Sequence, residues 1–389
     1  MSIFDQAPER RGTGSYKWDT YQADDIIPMW VADMDFRTAP PIVEALQKRV
    51  AHGVFGYTKV DAGYYSAVTD WFSRRHRWTI NPEMIIYTSG VVPAVSAIIK
   101  AMTRPGDKVV LTTPAYNCFF SSIRNNGCEL SASRLVRGVD GTYSIDFEDL
   151  ERRCSEESAR VMVLCNPHNP TGRIWTADEL ERIARICAST GTFVISDEIH
   201  CELTYCGREY TPFATIAPAE LRYAICVSPS KAFNTAGLQI ANIVASDAEA
   251  RALIDRAIND NEVCDVNPFG VAATVAAYTH CAPWLDELRS YLWENWLTVK
   301  DYFARHLPSY GLTPLESTYL VWIDCRHTGM DSDALNEKLI EAGVALSPGS
   351  IYGDPGFLRL NIACPRSRLK EGLSRMGQVL AELADGRIC

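Results

Sequence analysis

The chain has 389 residues, and at roughly 100 to 200 residues per domain that length allows two or three domains. Hydrophobic residues make up 47% and charged residues 22%, an ordinary globular composition that excludes a disordered, collagen-like or coiled-coil chain. With 38 basic and 48 acidic residues the net charge is −10 and there is no basic block, so no nucleic-acid partner is expected. No stretch reaches the ~18 consecutive apolar residues of a membrane helix, and the start, MSIFDQAPERR, is polar and has no apolar h-region. Neither export nor membrane insertion is expected. The thirteen cysteines lie between Cys118 and Cys389 without a C-x-x-C pair, so neither a disulfide framework nor a metal site is read from them. A reducing cytoplasm fits that usage.

The first ~45 residues lack regular periodicity, carry PMWVADMDF (28–36) and are too few to fold alone. They are expected to pack beside a C-terminal layer. From Ile85 to Val244, short β-branched runs alternate with helical stretches: IIYTS (85–89), VVLTTP (109–114), VMVLCNP (161–167), FVISDE (193–198), AICVSPS (224–230) and IANIVAS (240–246). This is the rhythm of a mostly parallel sheet covered by helices on both faces. Between the runs, Pro93 to Met102 reads as a helix ending before Pro105-Gly106, and Thr176 to Thr190 as one opening with T-A-D-E and closing at Gly191. Beyond Pro283 a long helix, Trp284 to His306, precedes strand-like TYLVWIDC (318–325), a helix from Ser332 to Ala342, strand-like FLRLNIAC (357–364) and a closing helix from Ser367 to Leu383. The expected division is 1–46 as the N-terminal part of a small α+β domain, 47–285 as a large α/β domain and 286–389 as the rest of the small one. A cleft should lie between them.

Ligands of open α/β sheets sit beyond the carboxyl ends of the strands, and polar residues concentrate there. After IIYT comes Ser89-Gly90-Val91-Val92-Pro93 at a helix start, where free N–H groups suit an anion such as phosphate, though a plain tight turn reads the same way. After VMVLC comes Asn166-Pro167-His168-Asn169-Pro170-Thr171-Gly172, a rigid turn able to hold an amide against a ligand or simply a structural loop. Asp197-Glu198-Ile199-His200 follows FVIS and places acids in a buried setting, so something cationic should face Asp197. Ser228-Pro229-Ser230-Lys231 follows AICV, with two hydroxyls and one amine on a loop.

Taken in order with Phe357-Leu358-Arg359-Leu360, these motifs resemble the fold-type I pyridoxal-phosphate enzymes of the aminotransferase class I/II superfamily, over essentially the whole chain. MWVADMDF (29–36), FGYT (55–58), SDEIH (196–200), SKAFNTAGLQ (230–239) and LNIACPRS (360–367) resemble its cystathionine β-lyase or cysteine-S-conjugate β-lyase branch, the MalY/PatB type. The resemblance implies a large domain with a seven-stranded, mostly parallel sheet. It also implies pyridoxal 5'-phosphate as cofactor and a homodimer with shared sites.

Residue by residue, Lys231 resembles the Schiff-base lysine that also moves the Cα proton. Asp197 resembles the carboxylate that keeps the pyridine nitrogen protonated, Asn169 the amide on the ring's 3-oxygen, and Tyr116 the aromatic stacked on the ring. The phosphate is implied to rest on the Val91 and Val92 N–H groups, the Ser228 and Ser230 hydroxyls and Tyr57 from a second subunit. Arg359 resembles the clamp on the substrate α-carboxylate. Two positions depart from the general aminotransferase pattern: His200 replaces a tyrosine, and Gln239 replaces a cation that would face the phosphate. His200 is expected beside the cofactor, with a satisfied core histidine as its other reading. Asp33 and Asp35 belong near the substrate entrance or to a structural turn. The implied activity is α,β-elimination from L-cystathionine or a related cysteine S-conjugate to pyruvate, ammonia and a thiol. An aminotransferase or a cofactor-binding regulatory protein is the alternative.

Overall fold

A computed structural model describes residues 2–384 apart from Gln22 and Cys206. Cys389 also lies outside the described residues. Seven strands form the larger sheet: β1 (Ile85–Thr88), β2 (Lys108–Thr113), β3 (Glu129–Arg134), β4 (Ala159–Cys165), β5 (Phe193–Asp197), β6 (Tyr223–Val227) and β7 (Ala241–Ala245). Their spatial order is β1-β7-β6-β5-β4-β2-β3. From β6 to β3 every pairing is parallel, while β7 runs antiparallel to both of its neighbours. The central strands read as near-continuous apolar runs because both of their faces are covered. In β4, Val161 and Val163 enter one core with the helix Val91–Met102, whereas Met162 and Leu164 enter the other with the helix Ala177–Thr190.

Local chemistry sets the ends of these helices. Thr176 caps Ala177–Thr190: its hydroxyl accepts the Glu179 N–H at 3.2 Å, and the Glu179 carboxylate accepts the Thr176 N–H at 2.8 Å. At the other end Gly191 takes the left-handed conformation, φ 70°. Leu180, Ile183, Ala184 and Cys187 recur at helical spacing on its buried face. Strand β3, whose sequence is ELSASR, has no counterpart among the runs read from the sequence. It is an edge strand with one neighbour and a largely exposed face, so it needs no apolar run.

A second, antiparallel sheet of four strands follows: β8 (Gly311–Leu312), β9 (Leu320–Asp324), β10 (Ser347–Pro348) and β11 (Phe357–Asn361), in the order β8-β9-β11-β10. The helices Ala282–His306, Ser332–Glu341 and Arg366–Ala384 contribute Leu292, Leu335 and Leu373 to the core shared with this sheet. Ile27–Pro28 pairs in parallel with Val344–Ala345, which joins the N-terminal segment to this layer. The helices Pro40–His52 and Ala282–His306 run unbroken through positions 46/47 and 285/286.

The N-terminal segment is fixed by one buried charge. Asp35 accepts Arg10 at 2.9 Å, Lys17 at 3.1 Å, the Trp18 indole N–H at 2.9 Å and Arg368 at 3.0 Å. Burial alone would raise its pKa, but the Lys17, Arg368 and Arg10 cations and the indole hold it below the usual carboxylate range. Lys17 is equally buried, so loss of Asp35 leaves its ammonium with only the longer Asp33 ion pair, at 3.5 Å, among the described residues. Asp35→Ala should destabilise the protein by about 3 to 5 kcal/mol in urea unfolding at pH 7. Because the folded pKa is depressed, the contribution of Asp35 is present above about pH 4 and fades as the pH falls through that lower folded value. A deficit that stays constant into strong acid would contradict this account.

Candidate active site

The carboxyl ends of β1, β5 and β6 open onto a cavity of about 200 Å³. Its lining includes Val91, Val92, Tyr116, Asn169, Asp197 and His200, together with Ser230 and Lys231. Five segments distant in sequence therefore meet at the carboxyl edge of one sheet. Gly90 precedes the helix Val91–Met102 at φ 154°, a conformation that side chains rarely adopt, and no side chain caps the first turn. Its free N–H groups and positive dipole end face the cavity.

Asp197 closes β5 with 4% of its surface exposed, and the only hydrogen bond to its carboxylate among the described residues comes from the Ile199 N–H at 3.1 Å. No cation lies within ion-pair distance of it among the described residues. Burial pushes its pKa up to about 7, against the pull of the Ile199 N–H and the Lys231 amine. Lys231 is half-buried and donates to the Ala32 carbonyl at 2.7 Å. Burial and then the Arg359 cation lower its pKa to about 8, outweighing Asp33 and Asp197. His200 is buried, its Nδ1 has no partner, and burial with the Lys231 and Arg359 cations takes its pKa to about 3. It is therefore neutral at pH 7, and its reading as a satisfied core histidine does not hold.

Arg359, on β11, carries its guanidinium across to the larger sheet. It donates to Asn169 Oδ1 at 3.1 Å and to the Trp30 carbonyl at 2.9 Å, and it lies 4.7 Å from the centre of the Tyr352 ring. It is 3% exposed, its Nε is unpartnered, and no carboxylate pairs with it among the described residues. Tyr116 sits near Asp197 and Arg359, and burial raises its phenol.

Two residues named from the sequence lie elsewhere in this subunit. The Ser228 hydroxyl donates to the Ile240 carbonyl at 2.7 Å and accepts the Ser230 N–H at 3.1 Å, so it braces the lysine loop. Tyr57 is 98% exposed and does not line its own cavity. Gln239 does line it, at φ 49°. Asp33 pairs with Arg10, and Asp35 with the buried cluster described above. Sequence reasoning missed the Ala32 carbonyl, Tyr319 and Asn361. Asn361 alone carried a signal, since it stands two residues after Arg359 and so shares its face of β11.

These features fit pyridoxal phosphate. A buried carboxylate without a cation suits a protonated ring nitrogen, an uncapped helix start suits a phosphate, and a buried guanidinium without a carboxylate suits the substrate's.

The model of the aminotransferase class I and II family matches residues 24–376. Cystathionine beta-lyase PatB of Bacillus subtilis is 40% identical over 97% of this chain and 100% of its own length. Protein MalY of Escherichia coli is 36% identical over 96% and 97%. Cystalysin from Treponema denticola, whose crystal structure contains a pyridoxal 5'-phosphate cofactor, superposes with a TM-score of 0.94 at 34% identity, over 98% and 100% of the two chains.

The raised pKa of Asp197 has a consequence for the cofactor-free protein. A carboxyl that titrates at about 7 when folded, against about 3.9 unfolded, withdraws stability as pH rises through that window. Asp197→Asn should therefore raise the melting temperature of the cofactor-free protein at pH 8 and leave it nearly unchanged at pH 4. Equal shifts at the two pH values would show that Asp197 is not a strained acid.

Proposed function

The chain belongs to the aminotransferase class I and II family, and on that premise we propose that its cavity performs carbon–sulfur β-elimination on L-cystathionine or a related cysteine S-conjugate. It is a pyridoxal-phosphate-dependent lyase. The observation that carries this reading is one cavity lined by a buried carboxylate, Asp197, and an amine of lowered pKa, Lys231, with the buried Arg359 guanidinium bonded to Asn169 of its wall, none of the three in an ion pair among the described residues. Identity of 36 to 40% along the whole chain to PatB and MalY directs that machinery to the lyase reaction.

Pyridoxal phosphate, when bound, supplies the electron sink that makes the Cα proton of an amino acid acidic. Asp197 would hold the ring nitrogen protonated, since a cation there would favour the carboxylate's own ionisation. Val91, Val92 and Ser230 hold the phosphate through N–H and O–H donors, with Gln239 in place of a cation. Ser228 acts by bracing Ser230. Asn169, the neutral His200 and Tyr116, which line the same cavity, would hold the ring by an amide, an imidazole and an aromatic face. Arg359 binds the α-carboxylate through two parallel hydrogen bonds, which fixes the direction of the Cα–H bond. Lys231 would hold the cofactor covalently, and its amine, when free, would remove the Cα proton. Its lowered pKa leaves a substantial neutral fraction at mildly alkaline pH. The electron pair of the broken Cβ–S bond leaves with sulfur as a thiolate, and hydrolysis yields pyruvate and ammonia.

We further propose a homodimer in which Tyr57 completes the partner's phosphate site. Its near-complete exposure beside the exposed Val54 and Phe55 supports this. A cytoplasmic location is supported by the eleven described cysteines, all free and nine of them buried, and no described helix is long and apolar enough to cross a membrane.

Incubation with cystathionine should release pyruvate and thiol together, with no dependence on an added keto acid. Amino transfer to a keto acid without thiol release would replace the lyase reading with a transaminase one. Lys231→Ala should lose turnover by several orders of magnitude, and peptide mapping after borohydride reduction of the wild type should place the cofactor on Lys231. For the dimer, mixed Tyr57→Phe and Lys231→Ala subunits form one site with both lesions and one with neither. Such mixtures should recover part of the wild-type rate, whereas no recovery means that Tyr57 serves its own subunit.

A further inference from the structure

Thr318 is fully buried at φ 68°, a region in which a β-branched residue is a conformational outlier. Such strain costs on the order of 1 to 3 kcal/mol and persists only where the surroundings enforce it. Here they do so at three atoms. The Thr318 N–H donates to the Leu203 carbonyl at 2.7 Å, its carbonyl accepts the Tyr205 hydroxyl at 2.5 Å, and its Oγ1 accepts the Leu320 N–H at 3.1 Å. The strained turn places the next residue, the buried Tyr319, behind the backbone that walls the cavity. The Tyr319 hydroxyl donates to the Ala32 carbonyl at 3.0 Å, and Ala32 also lines the cavity. That carbonyl is the same one that accepts the Lys231 amine at 2.7 Å.

Ala32 lies within a strap, residues 30–36, whose carbonyls are held by side chains from both layers. Arg359 binds the Trp30 carbonyl, and Asn361 binds those of Val31 at 2.5 Å and Asp33 at 2.7 Å. Asn234 binds those of Met34 at 3.0 Å and Phe36 at 2.9 Å. The flanking peptide planes are thus fixed, and at Ala32 itself the fixing donor other than the lysine is Tyr319.

We propose that Tyr319 is a positioning residue for Lys231. By holding the Ala32 carbonyl in one orientation, it gives the released lysine amine a single acceptor. One N–H is then taken up, and the lone pair is confined to directions over the cavity where the Cα proton must be. Tyr319 need not touch substrate for this. The inference rests on the reading of Lys231 as the proton-moving amine, and one arm of its test is independent of the reaction.

That arm is pH-dependent labelling of the Lys231 amine in the full-length, cofactor-free protein with an acylating reagent, quantified by peptide mapping. The charged or titratable groups facing the amine are Arg359, Asp33, Asp197, Cys118 and His200, with Tyr116 on the same cavity wall, and Tyr319→Phe replaces none of them. Losing the fixed acceptor destabilises the ammonium form, so in Tyr319→Phe the apparent pKa should fall by about half a unit, which labels the amine roughly three-fold faster at neutral pH. In the holoenzyme, kcat with cystathionine should fall by about ten-fold while KM stays within about two-fold, because only proton transfer is affected. The α-deuterium isotope effect on kcat should rise. If Tyr319→Phe does not fold, 3-fluorotyrosine at position 319 keeps the ring, strengthens the donor and should shift the labelling the opposite way. An unchanged or raised lysine pKa in Tyr319→Phe, or a rate loss without a larger isotope effect, overturns the proposal. A wild type that releases no thiol, together with the expected labelling shift, would refute the lyase reading and leave the positioning contact standing.

Discussion

A carboxylate taken out of water without a cation beside it is among the more costly things a fold can hold, and Asp197 is such a group. It stands at the carboxyl end of β5, the middle strand of the larger sheet, where it is 4% exposed and lines the cavity. Its next residue, Glu198, is also buried but is satisfied by Ser196 at 2.7 Å, the Phe213 N–H at 3.0 Å and the Tyr210 hydroxyl. The contrast separates two roles for adjacent acids. Glu198 braces the turn from within, while Asp197 is left with an unmet demand that a cationic ligand nitrogen would relieve. A stable frame is needed to keep that demand in place, and the two apolar layers on either side of the sheet provide it.

The smaller layer supplies the complementary charge. Arg359 belongs to β11, yet its guanidinium reaches Asn169 on the turn after β4, and the strap that it holds at Trp30 also touches Lys231 at Ala32. Cation and amine are thus linked through one short stretch of backbone. That stretch is anchored at its far end by the buried Asp35 with its three cations and indole. Stability at Asp35 and geometry at Lys231 are therefore coupled through residues 30–36, although the two side chains serve different ends.

Much of this was legible in the sequence for identifiable reasons. Strands β4, β5 and β6 are covered on both faces, so they appear as unbroken apolar runs, and the polar residues just beyond them mark the ligand edge. Strand β3 escaped because an edge strand with an exposed face carries no such run. The lysine, aspartate and arginine were visible because their side chains act. The Ala32 carbonyl was not, because any residue presents a carbonyl and only the fold decides which one meets the amine. Ser228 shows the converse: its position in the motif was evident, but the acceptor of its hydroxyl, the Ile240 carbonyl, depends on how the loop after β6 folds back toward β7.

Gln239 bears on how an anion is held with few cations. It occupies the cavity wall at a left-handed φ, opposite the uncapped helix start at Val91 and Val92. An arginine there would bring charge, but also a further positive neighbour to Lys231, whose pKa is already lowered by burial and by Arg359. Leaving the anion to N–H groups and the helix dipole keeps the cationic potential on the Asn169 side of the cavity, where Arg359 stands without a carboxylate partner among the described residues. The amine between them then needs only burial and one guanidinium to reach a pKa of about 8. A glutamine in place of a cation therefore suits a site in which the lysine must be neutral often enough to take a proton.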